Sequence, residues 1–231
     1  MTADGHVDRP FDGRFFEGDA LFWPLVPAAR VFADDPDWPP VETYARALTG
    51  TGAPVRFEPA PPPRGGRRRA APVDVRGLYD ARITHERCVP TRARSWHDYL
   101  NALVWASFPR SKLALHERQL RALVARLPPG ARTLPPTRSR EHDALALIDE
   151  GGVVILRDGR AEVEVVFGHA LYEGRVLGRG PMTACALPVL VASLPADPRD
   201  QVALADAGLA LHLVEGPLDP RALARIRIGE S

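Results

Sequence analysis

His169 and Glu173 stand four apart in Gly168-His169-Ala170-Leu171-Tyr172-Glu173. On a helix both side chains leave one face, the spacing that helical metal ligands and acid/base pairs use. A lone H-x-x-x-E is also common by chance, and a His–Glu hydrogen bond closing a helix start explains it without chemistry. A second cluster joins His97, Asp98 and Asn101; on a helix His97 and Asn101 share a face and Asp98 lies about 100° round. His97 is a candidate ligand or base, although a histidine flanking an apolar stripe is more often packed and hydrogen-bonded. Asp143 precedes an apolar run, and Asp149-Glu150 follows it. The candidate catalytic and metal-binding set is therefore His97, Asp143, His169 and Glu173. A divalent cation is the cofactor such a set would hold: Mg²⁺ or Mn²⁺ through the carboxylates, Zn²⁺ or Mn²⁺ through the imidazoles.

Arg110 and Lys112 flank a short connection between two predicted helices. There they are candidate anion-binding residues, helped by the positive end of the second helix and matched by the alternative of two solvated cations. Lys112 is the only lysine among 30 basic residues. His85, His116, His142 and His212 stand alone in the sequence and are read as structural or surface residues.

The elements that must position these groups follow from periodicity. Ser95 is a predicted N-cap, with Asp98 three residues on, for a helix over 95–107 whose stripe is Trp96, Leu100, Leu103 and Val104. Pro109 ends it, and a second amphipathic helix runs from Ser111 to Leu127, stopping at Pro128-Pro129-Gly130. Ala144–Ile148 and Val153–Leu156 read as two strands of a hairpin turning at 149–152, with a third strand at Glu162–Phe167. Gly168 allows a sharp change of direction into a helical segment over His169–Leu177. Ala184–Leu194 is ambiguous. Asp197-Pro198 reads as the start of a last helix and Gly208 as its stop. The expected fold is α+β: a helical pair packed on a small, mainly antiparallel sheet made of the hairpin plus one or two further strands.

Apolar residues at 45% and charged residues at 26% are ordinary globular usage, and 231 residues suffice for one core. The expectation is a single domain over 1–231: an aromatic-rich arm at 1–50, a Pro/Gly/Arg-rich exposed loop at 51–75 and a core at 76–231. The Arg64–Arg69 run in that loop reads as a solvated connector rather than a phosphate contact. A net charge of +1 gives no field to hold a polyanion or an anionic membrane, which argues against nucleic acid and membrane partners. Cys88 and Cys185 lack zinc-type spacing and read as reduced thiols, and the first residues do not read as a secretory signal; both suit a cytoplasmic protein. No nucleotide, zinc-protease or serine-hydrolase motif is present.

The segments Trp96-His97-Asp98-Tyr99-Leu100-Asn101-Ala102-Leu103-Val104-Trp105, Phe108-Pro109-Arg110-Ser111-Lys112, Asp143-Ala144-Leu145, Asp149-Glu150-Gly151 and Gly168-His169-Ala170-Leu171-Tyr172-Glu173 occur here in order. Over Tyr79 to Ala186 the chain resembles a bacterial family known only as domain of unknown function three-zero-two-five. The resemblance implies no activity; it marks these motif residues as the ones to test. The chain departs from the family pattern at His116, where asparagine is expected, which counts against a shared catalytic role there. The segment between Arg157 and Glu162 is trimmed relative to longer relatives. Two functions remain open: a small hydrolase or phosphate-handling enzyme acting on a small anionic ligand, or a non-catalytic binding or interaction module in which the same polar residues form a structural network.

Overall fold

The computed structural model describes residues 9–61 and 72–229. The Arg64–Arg69 run lies outside them. Prolines 24, 27 and 40 keep the N-terminal arm from forming long helices, so it folds as short 3-10 turns, Phe15–Glu17, Ala20–Leu25, Arg30–Phe32 and Val41–Leu48, around one α turn, α1 (Val26–Ala29). Strand β1 (Arg56–Pro59), helix α2 (Tyr79–Glu86) and strand β2 (Cys88–Thr91) come next, and β1 pairs with β2 in parallel. Part of the segment expected as an open loop is thus a strand, because Phe57 is buried against Tyr44.

Helix α3 (Trp96–Ser107) starts where expected, with the Ser95 side chain accepting the Asp98 N–H at 3.3 Å. Its whole stripe is buried. The arm covers one side of it: Phe11 and Phe15 meet Trp96 at ring-centroid distances of 5.7 and 5.4 Å, and Tyr44 meets Tyr99 at 5.6 Å. Pro109 ends α3 and opens α4 (Pro109–Val124), since a residue that lacks an N–H is at home in the first turn of a helix.

Helix α5 (Arg140–Gly151) corrects the expected hairpin. Ala144–Ile148 is helical, with Ala144, Leu145 and Ile148 buried on one face and the Ser139 side chain accepting the His142 N–H. A short apolar run fits either element, and the flanking cap decides it. The hairpin is formed instead by β3 (Gly152–Arg157) and β4 (Glu162–Val166), whose turn carries Asp158-Gly159, with Gly159 at φ 81°. Helix α6 (His169–Val176) follows Gly168 as expected; the ambiguous segment is β5 (Met182–Leu190); α7 spans Pro198–Glu215; and β6 is Ala224–Ile228.

The strand order is β4-β3-β5-β6, with β3 parallel to β5 and the outer pairs antiparallel. The class is mixed α+β, but one sheet is parallel and the other mixed, which corrects the expected mainly antiparallel sheet: the connection from β3 to β5, through β4 and α6, is long enough for the crossover a parallel pair needs. Helix α7 runs on past its expected stop because Gly208 serves packing. A Cβ there would lie 2.4 Å from Val189 Cγ1, so the glycine lets the helix press onto β5. Among the described residues one buried apolar cluster extends from Phe15 to Ile228, and no helix is long and apolar enough to cross a membrane.

Candidate functional site

Three helix ends converge: the first turn of α3, the last turn of α5 and the first turn of α6. Glycine makes the convergence. The N–H groups of Phe167 and Gly168 both donate to the Gly152 carbonyl at 2.9 Å, and a Cβ on Gly168 would lie 2.5 Å from the Glu150 carbonyl oxygen. Only a residue without a side chain lets the chain turn into α6 this close to the end of α5. His169 is thereby set against Asp149 and Glu150.

Nε2 of His97 lies 3.0 Å from Nε2 of His169, the two rings meeting at a steep angle with centroids 4.4 Å apart. Their far nitrogens are committed. Nδ1 of His169 is 2.9 Å from the backbone carbonyl of Asp149, which can only accept, so the ring carries its proton on Nδ1. Nδ1 of His97 is 3.2 Å from the carboxylate of Glu173, which places a proton there as well. Two neutral rings held this way bring both Nε2 lone pairs to one space, where a cation or an added proton would relieve their repulsion. Glu150 adds a third donor, its Oε2 lying 3.4 Å from His169 Nε2, and the ligand atoms of His97, Glu150 and His169 all fall within 4.8 Å of one another.

Charge around the site is graded. The Lys112 ammonium has no exposed surface and lies 2.6 Å from Asp149 Oδ1, between the rings of Trp105 and Phe167. Burial alone would raise the Asp149 carboxyl, but Lys112 and the histidines outweigh it and hold the group well below the usual carboxylate range. Burial lowers His169 to about 4, so its ring is neutral near pH 7. The hydrogen bond to Glu173 raises His97, and the same bond lowers Glu173. Burial, and then the charge of Asp149, raise Glu150.

A cavity of about 370 Å³ opens on His97, Glu150 and His169, with Tyr79, Arg92 and Asn101 on its walls. Asn101 is nine-tenths buried, yet its Oδ1 has no hydrogen-bond partner among the described residues. The Arg92 guanidinium is steadied by Asp98 at 2.8 Å. The Tyr79 ring is partly exposed, but burial of its hydroxyl, together with the carboxylates of Asp149, Asp98 and Asp80, raises it and keeps the phenol protonated as a donor.

The structure therefore brings His97, His169 and Glu173 together, with Glu173 orienting His97 rather than facing the third donor position. Asp143 is not with them: it sits in the first turn of α5, about 10 Å along the axis from Glu150. The expected pairing of Arg110 with Lys112 as an anion pocket is also corrected. Lys112 points inward to Asp149, while the carboxylate of Asp206 accepts the backbone N–H groups of Arg110 and Ser111 at 3.2 and 2.8 Å, filling the start of α4. His116 is structural, with Nδ1 2.9 Å from Asp80 and its ring stacked on Trp105. Of the three carboxylates the sequence offers for a divalent site, Asp143, Asp149 and Glu150, only Glu150 lies with the two histidines, because the segment is a helix and not a hairpin turn. Its signal was two carboxylates ending a helix, where the macrodipole opposes them.

On a mixed α+β fold, the side chains of His97, Glu150 and His169, of which only His169 is fully buried, gather beside a polar cavity in an arrangement that could hold a metal ion. Residues 68–165 match the model of the family described as Protein of unknown function (DUF3025). That stretch holds His97, Lys112, Asp149 and Glu150, and it is the family whose motifs the sequence resembles. No curated protein and no solved structure gives a match.

Proposed function

We propose that His97, Glu150 and His169 bind one divalent transition-metal ion and that the protein is a metal-dependent hydrolase of small anionic substrates, acting in the cytoplasm. The observation that carries this reading is the 3.0 Å approach of two Nε2 atoms whose Nδ1 protons are both committed elsewhere. Two nitrogens about 2.0–2.1 Å from one ion at angles near 90–110° stand roughly 2.9–3.4 Å apart, so the pair already has the spacing of adjacent ligands. The outer contacts, Glu173 on His97 and the Asp149 carbonyl on His169, are those that fix tautomer and raise basicity in histidine–metal sites. Two histidines and one carboxylate leave coordination positions open, and the cavity is where they open. A metal there would lower the pKa of a bound water. Arg92 and Tyr79 would hold the anionic part of a substrate, and Asn101 Oδ1 would accept a hydrogen bond from it or from that water.

Elemental analysis of protein purified without an affinity metal, followed by calorimetric titration with Zn²⁺ and Mn²⁺, tests this. One equivalent per chain is expected, lost in His97→Ala and in His169→Ala, with a melting temperature that rises with metal by linkage. A phosphoester and carboxylic-ester screen of the loaded protein then tests the hydrolase half. A second reading rests on the same 3.0 Å contact: His97, raised by Glu173, as an imidazolium donating to neutral His169. The cluster is then a structural network in a binding module. Protein that takes up no metal, with both alanine variants folded but less stable, is the outcome that favours it.

A further inference from the structure

The opposite end of α3 borders a larger, chemically different cleft of about 720 Å³. Its walls are largely apolar: Trp23, Pro24 and Ala28 from the arm, Ala106 at the end of α3, and Val202 and Ala203 from α7. Arg46, Arg110 and Arg199 also line it. Arg46 is committed to Asp35 at 3.0 Å and to the Val31 carbonyl. The guanidiniums of Arg110 and Arg199 have neither a hydrogen-bond nor an ion-pair partner among the described residues. Asp206 is the carboxylate within the cleft lining; it is 4% exposed and its oxygens are spent on the Arg110 and Ser111 amides. The cleft thus combines a concave apolar wall of ligand size with two unpaired, planar guanidinium forks suited to carboxylate or phosphate. His97 and Ser107 lie ten residues apart on α3, about 15 Å, so this site is separate from the histidine cluster.

We propose that this cleft binds a small molecule with an apolar body and one anionic end, the body against Trp23, Pro24 and Val202 and the carboxylate or phosphate at Arg110 and Arg199. The site does not depend on metal at the histidine cluster.

Isothermal titration calorimetry of the full chain with decanoate, decyl phosphate and decanol, each below its aggregation concentration, tests it. Saturable one-to-one binding of an anionic probe, at least tenfold tighter than decanol, is expected; the tighter of decanoate and decyl phosphate identifies the end group. Arg110→Ala/Arg199→Ala should weaken the anion at least tenfold and leave decanol unchanged. Ala203→Trp, which fills the wall, should abolish binding of all three. Both variants are to be checked for a native melting transition; Arg110→Gln/Arg199→Gln replaces the alanine pair, and Ala203→Phe replaces Ala203→Trp, if the first choice fails to fold, each with the expectation of the variant it replaces. No saturable binding of either anion, equal affinity for decanol, or full affinity in the arginine variant would each overturn the proposal.

Discussion

The two ends of α3 show two ways of using charge. At its N-terminal end charge is buried and answered group by group: Lys112 by Asp149, His97 by Glu173, His169 by a carbonyl. At its C-terminal end the surface is apolar, and two guanidiniums line the cleft without an ion pair among the described residues, the carboxylate of Asp206 in the same lining being bonded to backbone N–H groups. The first arrangement is costly to disturb because a buried charge that loses its partner keeps its desolvation penalty. The second is cheap to alter, because exposed arginines contribute little to folding. Stability measurements should therefore separate the two regions as sharply as binding measurements do.

The largest expected effect is at the buried ion pair. Lys112→Met leaves Asp149 ionised and unpaired beside His169, and should cost about 3–5 kcal/mol in urea denaturation. Lys112→Met/Asp149→Leu should recover most of that loss, since an apolar pair of similar volume removes both charges. A double variant as unstable as the single one would show that the slot serves shape and not charge. Lys112→Arg tests the fit: in a chain that otherwise uses arginine throughout, the one lysine lies between Trp105 and Phe167, where a guanidinium is too broad.

Next in size is Gly168→Ala. The added methyl meets the Glu150 carbonyl and the Gly151 backbone, which cannot yield as a flexible side chain would, so α6 must move away from α5. About 1–3 kcal/mol of destabilisation is expected, together with loss of the His97–His169 approach, read as lost metal uptake. A change at Gly208, which packs α7 on β5, should cost stability but leave the histidine cluster intact.

How far the sequence discloses this arrangement depends on where its signals act. The Ser95 cap, the α3 stripe, the turn at Gly168 and the His169–Glu173 spacing are local, and the structure has each of them where the residues put it. Ala144–Ile148 was misread because a five-residue apolar run carries no period, while the Ser139 cap that settles it lies outside the run. Read as a hairpin end, the segment groups Asp143 with Asp149 and Glu150; as a helix it leaves Asp143 two turns away from Glu150. The inward course of Lys112 is set by Asp149 on α5 and the filling of the α4 start by Asp206 on α7, about a hundred residues downstream, and no local pattern encodes either contact.

In metal-free protein the two histidines should give stability opposite pH dependences. His169 falls from 6.5 to about 4 on folding, so between those values the unfolded chain holds a proton that the folded chain lacks, and stability rises with pH across that window. His97 is raised, so its contribution is full below its unfolded value and is lost as pH rises through its folded one. Together they place a maximum near the ordinary histidine value. Urea midpoints of chelator-treated protein from pH 4.5 to 8.5 should show it. His169→Ala should flatten the acid limb and His97→Ala the alkaline one; limbs unchanged by either variant would mean that other groups set the profile.

The smallest expected effect is at the other end of α3, and its smallness is what it tests. Arg110→Ala/Arg199→Ala removes two exposed side chains that make no side-chain hydrogen bond or ion pair among the described residues, so the urea midpoint should shift by no more than about 0.5 kcal/mol. The backbone amides of residues 110 and 111 keep their bonds to Asp206, so the start of α4 stays capped. Metal uptake at His97, Glu150 and His169, about 15 Å away along the helix, should be unchanged. A loss of several kcal/mol would mean that these arginines hold the arm against α7, and the contrast between a braced end and an open end of α3 would fail.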